Sequence, residues 1–312
     1  MMKFTLIFLV GTIVFPIRHV LGKSEPPPTM DLSIQLPRAK IIVCEPLWVS
    51  FELKNLGQKP VKVQSDLSLR GGAISLEIAF EKGGFIKFYK PGEYFSDHTL
   101  SEDVVYNFEP IQKDESLVGS EWVLFNMAPT EINLHPMMKP SKNRGFVFKT
   151  PGHYRLKAVY ERKGIRVESK TISIEVEALP KDEEEAFKLW CRPEIGETVQ
   201  GGMGPAAIYT DLKQIVEKYP KSIYTAFSAL ALAEHFFKDN DDKDAKSKGL
   251  KYLEIAAQSS KNPRIQEQVV ELRSSWGPKV YDEKYEEDVI RRVQSGEIYN
   301  IKSSKKKITG SN

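Results

Sequence analysis

The hydrophobic rhythm of this chain changes around Leu179-Pro180-Lys181, and that change limits what the chain can fold into. Before it, apolar residues alternate: Val49, Phe51, Leu53; Ile74, Leu76, Ile78, Phe80; Ile172, Ile174, Val176. After it they recur at helical spacing, as in Leu212, Ile215, Val216 and Tyr219. A period of two buries one face of a strand, whereas a period of about 3.6 buries one stripe of a helix. The pattern predicts a multidomain β + α chain, with strands over 31–178 and helices over 179–276. A length of 312 residues suits about two domains. A hydrophobic content of 41% supplies enough apolar side chains for packed cores in both.

The strand region reads as Asp31–Gln35 and Lys40–Cys44 (a split first strand), Leu47–Lys54, Val61–Leu69, Ala73–Phe80, Phe85–Tyr89, Trp122–Phe125, Gly145–Phe148, His153–Tyr160 and Arg166–Glu177. Short strands separated by Gly, Pro and Asn turns, with no helical run between them, predict an antiparallel sandwich. Two long polar stretches, Gly92–Lys113 and Ala128–Asn143, read as loops at its ends. In the helical region, Asp182-Glu183-Glu184-Glu185 suits a helix N-terminus and Pro193 ends that helix. Gln200–Pro205 is a breaker, and a helix follows to Tyr219-Pro220. Ser222 is placed to cap Ile223–Lys238, Asp244–Gln258 comes next, and Asn262-Pro263 opens the last helix.

Ahead of both modules, Met1-Met2-Lys3 gives a positive start, Phe4–Ile17 an apolar run, and Val20-Leu21-Gly22 a set of residues suited to a cut before Lys23. This is the layout of a secretory signal peptide over 1–22, too short to span a bilayer comfortably. Residues 23–30, with Pro26-Pro27-Pro28, read as a Pro-rich spacer, and 277–312 as a charged, partly disordered tail. The formal charge of +3 is small, and part of the excess sits in that tail at Lys302 and Lys305–Lys307. No nucleic-acid partner is expected from it.

Two local patterns resemble the bacterial extracytoplasmic immunoglobulin-like modules. Glu45–Asn55, followed by Lys59-Pro60-Val61-Lys62-Val63, is similar to their early strands. Phe148-Lys149-Thr150-Pro151-Gly152-His153-Tyr154 is similar to the turn that opens their penultimate strand. Where such modules carry a Pro-Gly-Glu-Ser turn, Lys113-Asp114-Glu115-Ser116 stands instead. The resemblance covers Asp31 to Ala178 and implies an immunoglobulin-like β-sandwich. Farther on, Val216-Glu217-Lys218-Tyr219-Pro220-Lys221-Ser222-Ile223-Tyr224-Thr225-Ala226 resembles the joint of tetratricopeptide-like helical pairs in bacterial envelope proteins. Lys251–Ala257 suits the second helix of the next pair, although strict repeat spacing is absent.

Candidate chemistry is sparse. The chain has two cysteines, Cys44 in the first module and Cys191 in the second. They suit either a disulfide tying the modules together or two buried free thiols. Asp239–Asp244 fails as a calcium loop, because Lys243 and Asp244 occupy the places of an oxygen ligand and a glycine. His135-Pro136-Met137-Met138 has no partner ligands at useful spacing, and His98, His153 and His235 are scattered. There is no Gly-x-Ser-x-Gly elbow, no His-Glu-x-x-His, and no Lys-Ser/Thr after the Gly201–Gly204 cluster. Trp48, Tyr94, Phe95 and Trp122 form a candidate aromatic binding surface on the first module.

These readings set the expectations. The chain is an exported protein of the periplasm, cell envelope or extracellular space, not an enzyme, with no catalytic residues, metal or cofactor. It is expected to act as a protein-interaction or scaffold module, touching a membrane only through an uncleaved signal segment. The alternative is a proteinase inhibitor, or a β-sandwich that binds peptide or glycan. No pattern sets an oligomeric state.

Overall fold

The computed structural model describes residues 29–69, 71–90, 107–128, 141–202, 204–238 and 244–276. The expected signal peptide over 1–22, most of the spacer and the tail over 277–312 lie outside the described residues. The chain is mixed β + α, with every described strand before Ala178 and every described helix after Pro180.

Thirteen strands are formed among the described residues. They are β1 (Met30–Gln35), β2 (Lys40–Ile42), β3 (Leu47–Asn55), β4 (Val61–Gln64), β5 (Ile74–Phe80), β6 (Ile86–Phe88) and β7 (Phe108–Ile111). There follow β8 (Ser116–Val123), β9 (Phe125–Asn126), β10 (Gly145–Phe146), β11 (Gly152–Arg162), β12 (Ile165–Glu168) and β13 (Ile172–Glu177). One sheet has the order β1-β3-β8 and a larger one β2-β13-β11-β5-β6, with β12 on β11. The pairs β4-β7 and β9-β10 are separate. The inward residues of both sheets, among them Phe51, Leu53, Leu76, Leu156, Tyr160 and Ile174, meet in one apolar cluster.

Several expected strand limits move, for local reasons. The first strand is split as expected, but not every pairing is antiparallel. Pro37 has no N–H to continue the β1 ladder. The chain crosses to the larger sheet, and β2 there runs parallel to β13. The run expected over Arg166–Glu177 is two strands, parted where the Ser169 hydroxyl accepts a bond from the Ala158 N–H at 2.9 Å. Strand β7 lies inside a stretch expected to be loop, and β8 begins six residues before the expected Trp122. At Gly152, φ is +140° and a Cβ would meet Glu81 Oε1 at 2.6 Å and Phe80 Cε2 at 2.8 Å. That turn therefore requires glycine, and it delivers Tyr154 into the core.

After a 3-10 turn at Lys181–Glu183 come six helices among the described residues. They are α1 (Glu184–Trp190), α2 (Pro193–Gly201), α3 (Ala206–Lys218), α4 (Thr225–Lys238), α5 (Ala245–Ser259) and α6 (Pro263–Trp276). Helix α2 was not expected. Its buried residues are Ile195, Gly196, Thr198 and Gln200, so it carries no apolar stripe to read. The Asn262 side chain accepts the Arg264 N–H at 3.0 Å, capping α6 as its Asn-Pro start predicts. Ser222 lies in the turn before α4, where its hydroxyl accepts the Tyr224 N–H at 3.2 Å. Glu183 is buried: it accepts from the Ser222 hydroxyl at 2.5 Å and from the Ile223 N–H at 3.0 Å. Instead of only favouring its own helix start, this acid ties the head of the helical region to the joint before α4. A second apolar cluster takes Leu124, Phe125 and Phe146 from the strands together with Trp190, Leu212, Phe227 and Leu253 from the helices. Sheet and helices therefore share a core.

Candidate functional site

The polar side chains of greatest structural consequence gather where the helices meet the sheets. The β2–β3 turn carries Val43 and Cys44. The Val43 carbonyl accepts the Tyr224 hydroxyl at 2.8 Å, and the Cys44 carbonyl accepts the Trp190 indole N–H at 2.8 Å. The rings of Trp190 and Tyr224 stack at 5.3 Å. Farther along, Gln200 of α2 inserts beside the end of β8. Its Oε1 accepts the N–H groups of Leu124 at 2.8 Å and Phe125 at 3.3 Å, while its Nε2 donates to the Trp122 carbonyl at 2.9 Å. Helix α2 approaches so closely that a Cβ on Gly196 would stand 2.3 Å from Phe125 Cδ2.

The expected aromatic binding surface is corrected here. Trp48 and Trp122 form an edge-on pair at 5.0 Å, and Trp122 meets Phe227 of α4 at 5.4 Å. Arg264 of α6 lies 3.9 Å over the Trp48 ring, a cation–π contact that leaves Trp48 buried. The Trp122 indole N–H donates to Gln268 at 2.9 Å. Trp48 is thus buried beneath the chain's own helices and Trp122 is left half-buried, because the strand pattern shows which face is apolar but not what covers it. Tyr94 and Phe95 lie outside the described residues. What remains open beside Trp122, Gln200, Tyr209, Glu234 and Gln268 is a cleft of about 50 Å³, room for a few water molecules.

The structure brings the two cysteines together. Cys44 sits in a left-handed turn with φ 56°, and Cys191 caps the C-terminus of α1. Their Sγ atoms are 3.1 Å apart across a sequence separation of 147. The hydrogen bond from Cys44 holds the Cys191 thiol below its ordinary range, helped by the positive charge of Lys149. The Cys44 thiol is pushed far up by the same bond and by burial. Burial also raises the Tyr224 hydroxyl well above the ordinary tyrosine range.

A different surface lies on the larger sheet. Phe80 and Ile86, 40% and 44% exposed, edge a groove of about 250 Å³ whose floor includes Phe88 and Tyr154 and whose rim includes Lys142, Arg144 and Lys149. Arg144 is paired with Glu197 at 2.8 Å. The expected motifs elsewhere are placed as follows. His153 lies on β11 and His235 on α4, stacked on Tyr209 at 3.6 Å. His98, His135-Pro136-Met137-Met138 and residues 239–243 of the acidic turn lie outside the described residues. Among the described residues, no group of three or more His, Cys, Asp or Glu is placed to hold a metal ion. No described helix is long and apolar enough to cross a membrane.

No family model matches the chain, and no curated protein sequence does. Solved structures offer weak likenesses. A β-glucosidase from Listeria innocua, in complex with gluconolactone, is 14% identical at a TM-score of 0.26, over 48% of this chain and 16% of that one. The β-glucosidase EmGH1 from Erythrobacter marinus is 12% identical at 0.26 over the same shares. The sporulation control protein Spo0M from Bacillus subtilis is 12% identical at 0.26, over 51% of this chain and 54% of that one. The chain thus spans about a sixth of the β-glucosidases and about half of Spo0M. The expectation that the chain is no enzyme is not carried further, and these likenesses, at such scores, assign the chain no activity.

Proposed function

We propose that the chain is an exported two-module interaction protein, an immunoglobulin-like sandwich carrying a tetratricopeptide-like helical module, which acts as a rigid scaffold for a protein partner. Export is supported by the positive start and apolar run of the first 22 residues. The sandwich reading is supported by strand order: β1-β3-β8 facing β13-β11-β5 follows the A-B-E and G-F-C sheets of the immunoglobulin architecture. The repeat reading is supported by α3 to α6, which pack each against the next, with the Tyr219–Ala226 joint leading from α3 into α4.

The observation that carries the functional reading is where the apolar surface lies. Trp48 is buried within the chain and Trp122 half-buried beside a small cleft, while exposed Phe80 and Ile86 border a larger groove with a basic rim. Its volume of about 250 Å³ falls below the roughly 300–1,000 Å³ typical of small-molecule pockets. It suits one or two apolar side chains projecting from a protein surface, with acidic neighbours facing Lys142 and Lys149.

A photo-crosslinking residue at Ile86 in the full chain tests this. The expected result is a discrete protein adduct in envelope extract that is lost when Lys142 and Lys149 are both changed to Glu. No adduct, or one indifferent to the charge reversal, overturns the reading. The N-terminus of exported material, read by mass spectrometry, is expected near Lys23; a start at Met1 overturns the export reading.

A further inference from the structure

We propose that Cys44 and Cys191 close into an intramolecular disulfide that bolts the β2–β3 turn to the end of α1. This inference is carried by geometry and is independent of the proposed function. A disulfide needs two sulfurs about 2.05 Å apart on backbones already at bridging distance. The Sγ atoms stand at 3.1 Å, so a movement of about 1 Å joins them.

The surrounding contacts hold that approach without help from the sulfurs. Trp190, the residue before Cys191, donates to the carbonyl of Cys44 at 2.8 Å. The Cys44 N–H donates to the Phe148 carbonyl at 2.8 Å, fixing the left-handed turn from its other side. Tyr224 holds the adjacent Val43 carbonyl at 2.8 Å. The chain has only these two cysteines, so no third thiol competes within it.

The chemistry is thiol–disulfide exchange with a disulfide-bearing oxidant, such as glutathione disulfide or an oxidoreductase. Cys191 is the half-exposed member, and as a thiolate favoured by its bond from Cys44 and by Lys149, it attacks one oxidant sulfur. One thiolate leaves the oxidant and a mixed disulfide forms on Cys191. Buried Cys44 then attacks Cys191 Sγ, its proton passing to the second thiolate as that group is expelled. Two thiols are oxidised, one disulfide is reduced to two thiols, and two electrons pass to the oxidant.

The test uses the full chain, reduced and then incubated with glutathione disulfide, denatured and treated with N-ethylmaleimide. Reduced protein is expected to take up two maleimides and oxidised protein none. A tryptic digest of the oxidised form is expected to join peptide 41–54 to peptide 189–213, two hydrogens lighter than their sum. Two maleimides on oxidised monomer, retained glutathione, or a bridge between two chains overturns the proposal. As a second measure, oxidation is expected to lower the unfolding equilibrium constant by about 30- to 1,000-fold. Dithiothreitol reverses that shift, and Cys191→Ser lacks it. A shift that persists in Cys191→Ser also overturns the proposal.

Discussion

Gln200 offers the sharpest test of how helices and sheet are held together. Gln200→Leu keeps nearly the same volume but strips partners from three backbone groups: the N–H groups of Leu124 and Phe125 and the carbonyl of Trp122. Each buried backbone group left without a partner costs about 1–3 kcal/mol. The Phe125 bond is long at 3.3 Å, and the neighbouring cleft can admit water to one of the orphans. The expected loss is therefore about 3 kcal/mol in total, near one full group per strong bond. For a protein of this size that corresponds to a fall in Tm of about 6–12 °C.

Urea unfolding followed in parallel by tryptophan fluorescence and circular dichroism measures it. Trp48, Trp122 and Trp190, three of the four tryptophans, stand where the modules meet, so fluorescence is weighted to that region while dichroism reports both modules. Gln200→Glu adds a chemical control. Its carboxylate still accepts the two N–H groups but turns an oxygen toward the Trp122 carbonyl. Once protonated, the carboxyl can both donate and accept, so this variant approaches the wild type as pH falls. A Gln200→Leu protein within about 0.5 kcal/mol of the wild type, the range of neutral surface changes, refutes the reasoning.

Gly196→Ala is expected to destabilise by about 1–3 kcal/mol by urea melt, although alanine is the better helix former, because its Cβ would fall 2.3 Å from Phe125 Cδ2. Tyr154, Tyr160, Tyr209, Tyr224 and Tyr252 are all raised by burial, so they stay protonated in the fold while the unfolded chain ionises above about pH 10. Stability is then complete below that pH and falls above it, by about 1.4 kcal/mol per pH unit for each tyrosine still protonated in the fold, with the tyrosinate absorbance of the buried rings appearing together with unfolding. Tyr224→Phe removes the donor to Val43 and is expected to lose about 1 kcal/mol at neutral pH and to make the alkaline fall shallower. Arg264→Met keeps an apolar stem over Trp48 without the charge, for an expected loss of about 1 kcal/mol by the same melt.

Much of this architecture is legible in the residues. The alternation through Val49, Phe51 and Leu53 gives β3, and Pro151-Gly152 gives the turn that plants Tyr154. The period change at Leu179 divides strands from helices. The remainder depends on who covers whom, which periodicity does not encode. Trp48 and Trp122 read as an outer aromatic patch because nothing near them in sequence announces Arg264 or Gln268. Helix α2 hides because its inward face joins a single isoleucine, Ile195, to glycine, threonine and glutamine, residues suited to close approach and polar bonding. The pairing of Cys44 with Cys191 needs a fold that brings residues 147 apart together, and composition could only name the two thiols.

The cluster of Leu124, Phe125 and Phe146 with Trp190, Leu212 and Phe227 makes the boundary at Leu179 one of secondary structure and not of cooperativity. Severing the chain there would strip the strand half of the cover over Trp48, Trp122 and Phe125, leaving a sticky face prone to aggregation. The helical half would lose the carbonyls that seat Trp190 and Tyr224. Hydrogen exchange should accordingly register a single foldon, with the slowest amides on both sides of Leu179 sharing one opening free energy.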